Sequence, residues 1–353
     1  MDVVRRGLTH SACYLYAGRR KREITSVSSN RYQFRNLAEG VYFATASDRY
    51  AGWMGQIYSE DQGYKIKSST KTLKGQKFNE EKVPVRSAEE FFQHYGALEL
   101  DFTFYSPLLN DDGTPSRNYA PLAEYAKWVP SDAKILLKVP EVICAKKHWT
   151  IQSGKRTFAE NPNYLDAKVF TQRFYTPATE IMGNRIAGFI FEKGYQRKDA
   201  TPPPEENTAE LERFFSDVPK DNRYHIEERT DRLKTAAYFD FLRRHKIGNV
   251  FSHWTWLPDL KRQWEQAGGF TGALSVTRLM TPLRVPYEEA YARYFPFDTL
   301  KDEFPQMYRD TALIIREGMS AGIPTVTVSN NRAGGNANEI NWRVVVELGL
   351  GTV

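Results

Sequence analysis

Eight short apolar runs, each followed by a stretch that can form a helix, constrain this chain more than any other feature. The runs lie at residues 41–46, 97–103, 134–139, 186–191, 224–227, 249–252, 273–277 and 324–329. They are rich in β-branched and aromatic side chains and read as buried strands. Helical spacing recurs at 121–128, 164–182, 233–245, 258–266, 299–319 and 336–348. Two further helices are expected where Ser87-Ala-Glu-Glu90 and Asn207-Thr-Ala-Glu210 form capping-box patterns ahead of apolar residues.

Alternation of this kind makes an α/β protein with a parallel sheet, and eight units close into a TIM-like (β/α)8 barrel. The rival is an open doubly wound sheet. It would ordinarily carry Gly-x-Gly-x-x-Gly after its first strand, and none follows residue 46. The chain has 353 residues, more than the ~250 of a typical barrel. The surplus is expected in an N-terminal extension and in long βα loops: 58–86, the Asn110-Asp-Asp-Gly113 turn and the stretch around Pro202-Pro-Pro204. The expected organisation is a basic arm, residues 1–40, joined to one barrel domain, residues 41–353.

The formal charge is +6, from 49 basic and 43 acidic residues. Residues 1–40 hold eight basic side chains against three acidic, and residues 62–86 hold seven against two, so each segment carries +5 and the rest −4. The excess is therefore peripheral. It permits a nucleic-acid partner, through Arg19-Arg-Lys-Arg22 and the basic 62–86 loop, without requiring one. Cys13 and Cys144 are too few for a disulfide framework and fit a reducing compartment. No apolar run approaches the ~20 residues of a membrane span, although residues 1–39 have the Arg- and Ser-rich composition of a transit peptide. A cytoplasmic protein with no membrane association is the expectation.

In a barrel of this type the chemistry sits where strands end and βα loops begin. Those ends carry Glu99, Asp101 and Tyr105, then Lys138, Glu192, Glu227 and Arg229, His253, Arg278, and Asn330 and Asn331. A buried charge is costly unless paired. Glu99, Glu192, Glu227, Lys138, Arg229 and Arg278 must therefore be solvated in a cleft, paired with one another, or both. Three acids and three bases are able to neutralise each other completely. Glu227 and Arg229 lie two apart on a strand and so share a face. Trp53 and the His253-Trp-Thr-Trp256 stretch stand in loops where rings can wall a pocket.

Metal-binding signatures are weak. The chain lacks His-Glu-x-x-His, and the Cys144/His148 spacing offers only two ligands on one helical face. Glu99, Asp101 and Glu192 offer oxygen ligands that need no signature spacing. No cofactor motif is present: there is no P-loop. The Asn330–Asn338 loop, which opens the final helix, is the one segment placed to receive an anion on backbone N–H groups.

The strand ends also resemble a known family. Ala44-Thr45, Tyr50, Trp53, Gly55 and Tyr58 are followed by Leu98-Glu99-Leu-Asp101 with Thr103-Phe-Tyr105. Lys138, Glu227-Glu-Arg229, Arg278 and Asn330-Asn331 come next, in the order of the YecE-like family, domain of unknown function 72. The resemblance spans residues 41 to 345. It implies a TIM-like barrel whose matching residues cluster at the C-terminal mouth, in a family without an established reaction. This chain departs from the family pattern at Ala46-Ser-Asp48, Asp101, Cys144-Ala145, Glu192 and Met280-Thr281, as a divergent member would.

Three functional readings follow. The first is a site for a small anionic, phosphate- or carboxylate-bearing ligand held by Lys138, Arg229 and Arg278. There Glu99, Glu227 and Lys138 would supply acid–base chemistry, and Asp101, Tyr105, Glu192, Asn330, Asn331, Trp53 and His253 would contact the ligand. The second is nucleic-acid binding or processing by the basic segments. The third is a non-catalytic binding scaffold, suggested by the departures from the family pattern.

Overall fold

The computed structural model describes residues 31–152 and 155–351, with side chains throughout except at 149–152 and 155–156. Cys13, His10 and Arg19-Arg-Lys-Arg22 lie outside the described residues. All eight expected strands form. They are β1 Val41–Thr45, β2 Ala97–Leu100, β3 Lys134–Lys138, β4 Ile186–Lys193, β5 Tyr224–Glu228, β6 Gly248–His253, β7 Ser275–Leu279 and β8 Thr325–Ser329. They pair in parallel in the order β1-β8-β7-β6-β5-β4-β3-β2. The seam between β1 and β2 is closed by one bridge, Ala46 to Glu99, with the Ser47 amide donating to the Glu99 carbonyl at 3.0 Å.

A principal helix follows each strand: α1 Ala88–His94, α2 Tyr119–Trp128, an irregular α3 built from Ala167–Phe170, a π turn at Thr171–Tyr175 and Thr176–Met182, α4 Pro204–Asp217, α5 Ala236–His245, α6 Leu260–Ala267, α7 Pro305–Ala321 and α8 Ala337–Leu348. Start signals act at Thr235, Asp259 and Asn336, whose side chains accept amide protons of the first turn. Two expected caps are corrected. Ser87 makes no capping bond, and Asn207 lies inside the first turn of α4 because the helix already starts at Pro204, a residue suited to the first helical position. No helix among the described residues is long and apolar enough to cross a membrane.

Strand alternation sorts the core into two regions. Outward-facing side chains such as Phe43, Leu98, Leu137, Phe191, Ile226 and Phe251 pack under the helices. Inward-facing ones, among them Ala44, Ala97, Leu136, Ile190, Val250, Val276 and Val326, fill the barrel. His225 also points inward, holding the Arg223 and Leu274 carbonyls at 2.9 and 3.1 Å. It fits because β4 and β6 present glycine beside it. A Cβ at Gly248 would lie 2.3 Å from its ring, and one at Gly188 would lie 3.0 Å from its Nδ1.

The extra length emerges mostly at the C-terminal ends of strands. The β1–α1 connection carries an antiparallel hairpin, Lys67–Leu73 with Gln76–Lys82, and β3–α3 carries a second, Lys147–Gln152 with Lys155–Glu160. The β7–α7 connection holds an additional helix, Tyr287–Tyr294. The first hairpin docks on that helix through Phe78, whose ring centroid is 4.9 Å from Tyr291. Of the expected arm, residues 31–40 pack against the barrel body: Phe34 is buried, its amide donates to the His94 carbonyl at 2.8 Å, and Arg35 pairs with Asp132 at 2.5 Å.

Candidate functional site

The uppermost inward positions of β2–β7 are polar, so the aliphatic barrel interior is capped over most of its circumference by a charged layer. Glu99 comes from β2, Lys138 from β3, Glu192 from β4, Glu227 from β5 and Arg278 from β7; Arg229 stands one residue beyond β5. Arg278 is only 2% exposed and is the hub. Its Nη2 and Nε donate to the two Glu99 oxygens at 2.7 and 2.8 Å, and its Nη1 donates to Glu192 at 2.9 Å and also to Glu227. Arg229 binds Glu192 at 2.9 Å and Glu227 at 3.1 Å. Lys138 binds Glu192 at 2.7 Å and sits 4.0 Å above the Phe104 ring. Ser252 donates to Glu227 at 2.7 Å.

These six side chains form a closed, neutral network. Removing such charges from water costs several kcal/mol per ion, a cost offset only when partners saturate them. Burial works against the Arg278 charge, yet Glu227, Glu99 and Glu192 more than compensate and raise its pKa. Burial likewise opposes ionisation of Glu192, but Arg229, Lys138 and Arg278 hold its carboxyl well below the usual range. Glu227 is lowered in the same way by Arg229 and Arg278 against its own burial. Burial raises Glu99 despite its bidentate guanidinium partner.

Above the network lies a cleft of about 540 Å³. Glu99, Asp101, Tyr105, Lys138, Glu192, Arg229, Arg278 and Asn330 reach its wall. The other four expected residues do not. Glu227 is buried behind Arg278 and Arg229. Trp53 is fully buried, packed 4.9 Å from Tyr50 and 6.4 Å from Tyr58. His253 is buried with its Nδ1 2.9 Å from the Thr281 carbonyl, and burial lowers its pKa to about 4. Asn331 turns back into its own loop and accepts the Ala337 amide at 2.7 Å. Cys144 and His148 share no helical face, because the short helix Glu141–Cys144 ends and His148 lies in the second hairpin. No group of three or more His, Cys, Asp or Glu suited to a metal ion occurs among the described residues.

Several cleft residues escaped the sequence reading: Arg49, Lys71, Glu80, Lys82, Tyr287 and Arg332. The hairpin contributes three of them. Lys71 donates to the Tyr287 hydroxyl at 2.9 Å, and Glu80 lies between Lys82 at 3.2 Å and Lys71 at 3.7 Å. The Arg332 guanidinium rests 4.7 Å above the Tyr287 ring, and its buried Nε has no hydrogen-bond partner. Seven cationic side chains line the cleft against four carboxylates, or five with Glu227 beneath them, an excess of two positive charges.

An eight-stranded parallel barrel with a charged, loop-roofed cleft at its C-terminal mouth defines the class as a TIM-like (β/α)8 barrel protein. Residues 69–345 match the model of the family described as protein of unknown function DUF72. The chain belongs to that family. It is similar to the crystal structure of a DUF72 family protein from Enterococcus faecalis V583, at 17% identity and a TM-score of 0.51, covering 89% of this chain and 97% of the other. It is similar also to a DUF72 family protein from Thermotoga maritima MSB8, at 15% identity and a TM-score of 0.51, covering 88% of this chain and 99% of the other. At these identities the likeness bears on the fold. No curated protein matches the chain.

Proposed function

We propose that the protein binds a small anionic molecule, bearing phosphate or carboxylate, in the cleft at the barrel mouth. The observation that carries this reading is the excess of two cations in a concave site walled by aromatic rings. Lys138, Arg229 and Arg278 are already neutralised by the three glutamates, so the attraction for an anion originates in Arg49, Lys71, Lys82 and Arg332, opposed by only Glu80 and Asp101. The network beneath acts as a rigid floor. Acid–base chemistry by Glu99, Glu227 or Lys138 requires one of its ion pairs to open. A closed network therefore supports binding without turnover over catalysis by these three groups.

The nucleic-acid reading draws less support from the hairpin, because Lys71 and Lys82 face Glu80 and the cleft and only part of its basic charge faces outward. A thermal-shift series decides between them. Phosphate and citrate, compared with chloride at equal ionic strength, are expected to raise Tm with saturation. Oligonucleotide binding that falls steeply with salt, with no saturable response to small anions, would overturn the proposal.

A further inference from the structure

Among the charged side chains that line the cleft, two of opposite kind lack a charged partner or side-chain hydrogen bond among the described residues: Asp101 and Arg332. They do not pair with each other, yet they bear on the same groups. Burial first, then the Asp101 charge, raises the Tyr50 hydroxyl above the ordinary phenol range, and Arg332 pulls it the other way. The same two charges act on Tyr105, again with opposite signs. Asp101 and Arg332 thus line one cleft and both lie close to its Tyr50 and Tyr105.

We infer that the ligand is a hydroxylated acid of sugar size, such as a sugar phosphate or sugar acid, with its anionic group on Arg332 and hydroxyls on Asp101. This rests on the anion-binding reading and narrows it. A guanidinium only donates and a carboxylate only accepts. A bare anion satisfies Arg332 and is repelled by Asp101. A ligand that satisfies both must carry an acceptor group at one end and hydrogen-bond donors at the other. Hydroxyls fit better than an ammonium, because the cleft already holds two surplus positive charges. Tyr105, 66% exposed at the rim, offers a ring face for the carbon skeleton.

The test is calorimetric titration of the wild-type chain, Asp101→Ala and Arg332→Ala with glucose 6-phosphate, inorganic phosphate and L-glutamate. Asp101 has no partner to lose and Arg332 only its stacking on Tyr287, so both variants are expected to melt close to the wild type. Glucose 6-phosphate is expected to bind at least about tenfold tighter than phosphate. Asp101→Ala should erase that advantage, with phosphate bound as well as in the wild type or more tightly because a repelling charge is gone, and Arg332→Ala should weaken both. Equal affinity for the two phosphates, tighter sugar-phosphate binding in Asp101→Ala, or a preference for L-glutamate would overturn the inference and leave the anion site standing. No binding of any of the three to the wild type would remove both.

Discussion

Arg278 and Glu99 meet in a bidentate pair at 2.7 and 2.8 Å although 179 residues separate them in the chain. The pair joins β7 to β2 through the barrel interior, and the same guanidinium also reaches Glu192 and Glu227. One side chain thus ties its own strand to three others at the level where the aliphatic core ends and the cleft begins.

Arg278→Met should therefore be costly. It leaves Glu99 without its guanidinium and Glu192 and Glu227 with Arg229 and Lys138 alone, and a loss of about 3–5 kcal/mol is expected in urea unfolding. Adding Glu99→Gln in that background should restore part of the loss by removing the stranded charge. A loss below about 1 kcal/mol, the range of exposed pairs, would show that the network contributes little.

Asp48 and His253 should give opposite pH responses. Asp48 is fully buried, with one oxygen accepting from Tyr125 at 2.6 Å and the other unpartnered, and burial pushes its pKa up to about 6. The folded state holds that proton more tightly than the unfolded chain, so stability falls as pH rises from about 4 to about 6. His253, lowered to about 4 by burial, holds its proton less tightly when folded, so stability falls as pH drops from about 6.5 toward 4. Each effect is on the order of 3 kcal/mol over its window, and the two offset each other. Asp48→Asn should unmask loss on acidification, and His253→Gln should unmask loss on raising pH through the same range, both read by urea unfolding between pH 4.5 and 7.5. Unchanged slopes in both variants would contradict the burial argument.

Phe78 is 4% exposed on an otherwise exposed hairpin and packs on Tyr291 and Phe295 at centroid distances of 4.9 and 5.3 Å. Phe78→Ala should undock the hairpin locally, at a cost of about 3 kcal/mol. Amide exchange is then expected to accelerate about a hundredfold within residues 67–82 while barrel amides keep their protection. Anion affinity should fall with it, because Lys71 and Lys82 lose their position. Uniform acceleration across the barrel would mean that the hairpin is part of the global folding unit.

The barrel was legible because its strands announce themselves locally: each apolar run is short, β-branched and followed by helical spacing. The charged strand ends were legible for the same reason, since alternation places Glu99, Lys138, Glu192, Glu227 and Arg278 on the inner face. What they do there was not, because pairing across the barrel depends on closure and not on sequence neighbourhood. Arg332, Lys71 and Lys82 were missed for two reasons. The Asn330–Asn338 loop is placed as an anion site by its backbone N–H groups, and nothing in its sequence singles out the Arg332 side chain. The hairpin was read as an undifferentiated basic loop, although Lys74-Gly75, both at positive φ, make the two-residue turn that such a hairpin requires. Trp53 and His253 looked like pocket walls from their place after strands, but the long connections fold back and bury them.

Arg229 and Arg332 should separate stability from binding. Arg229→Gln should destabilise the fold by breaking contacts with Glu192 and Glu227, yet leave phosphate affinity of the folded protein within about twofold. Arg332→Ala, which loses only its stacking on Tyr287, should melt close to the wild type and lose about tenfold in phosphate affinity. The reverse pattern, measured by urea unfolding and calorimetry on the same samples, would assign the anion to the network.

The central claim is that the cations at the strand ends are structural and that those of the loops hold the ligand. A crystal structure with glucose 6-phosphate bound tests it most directly. The expected result is phosphate within hydrogen-bond distance of Arg332, with the Arg278–Glu99 and Lys138–Glu192 pairs closed. Phosphate seated on Arg278 or Lys138, with either pair broken, would contradict it.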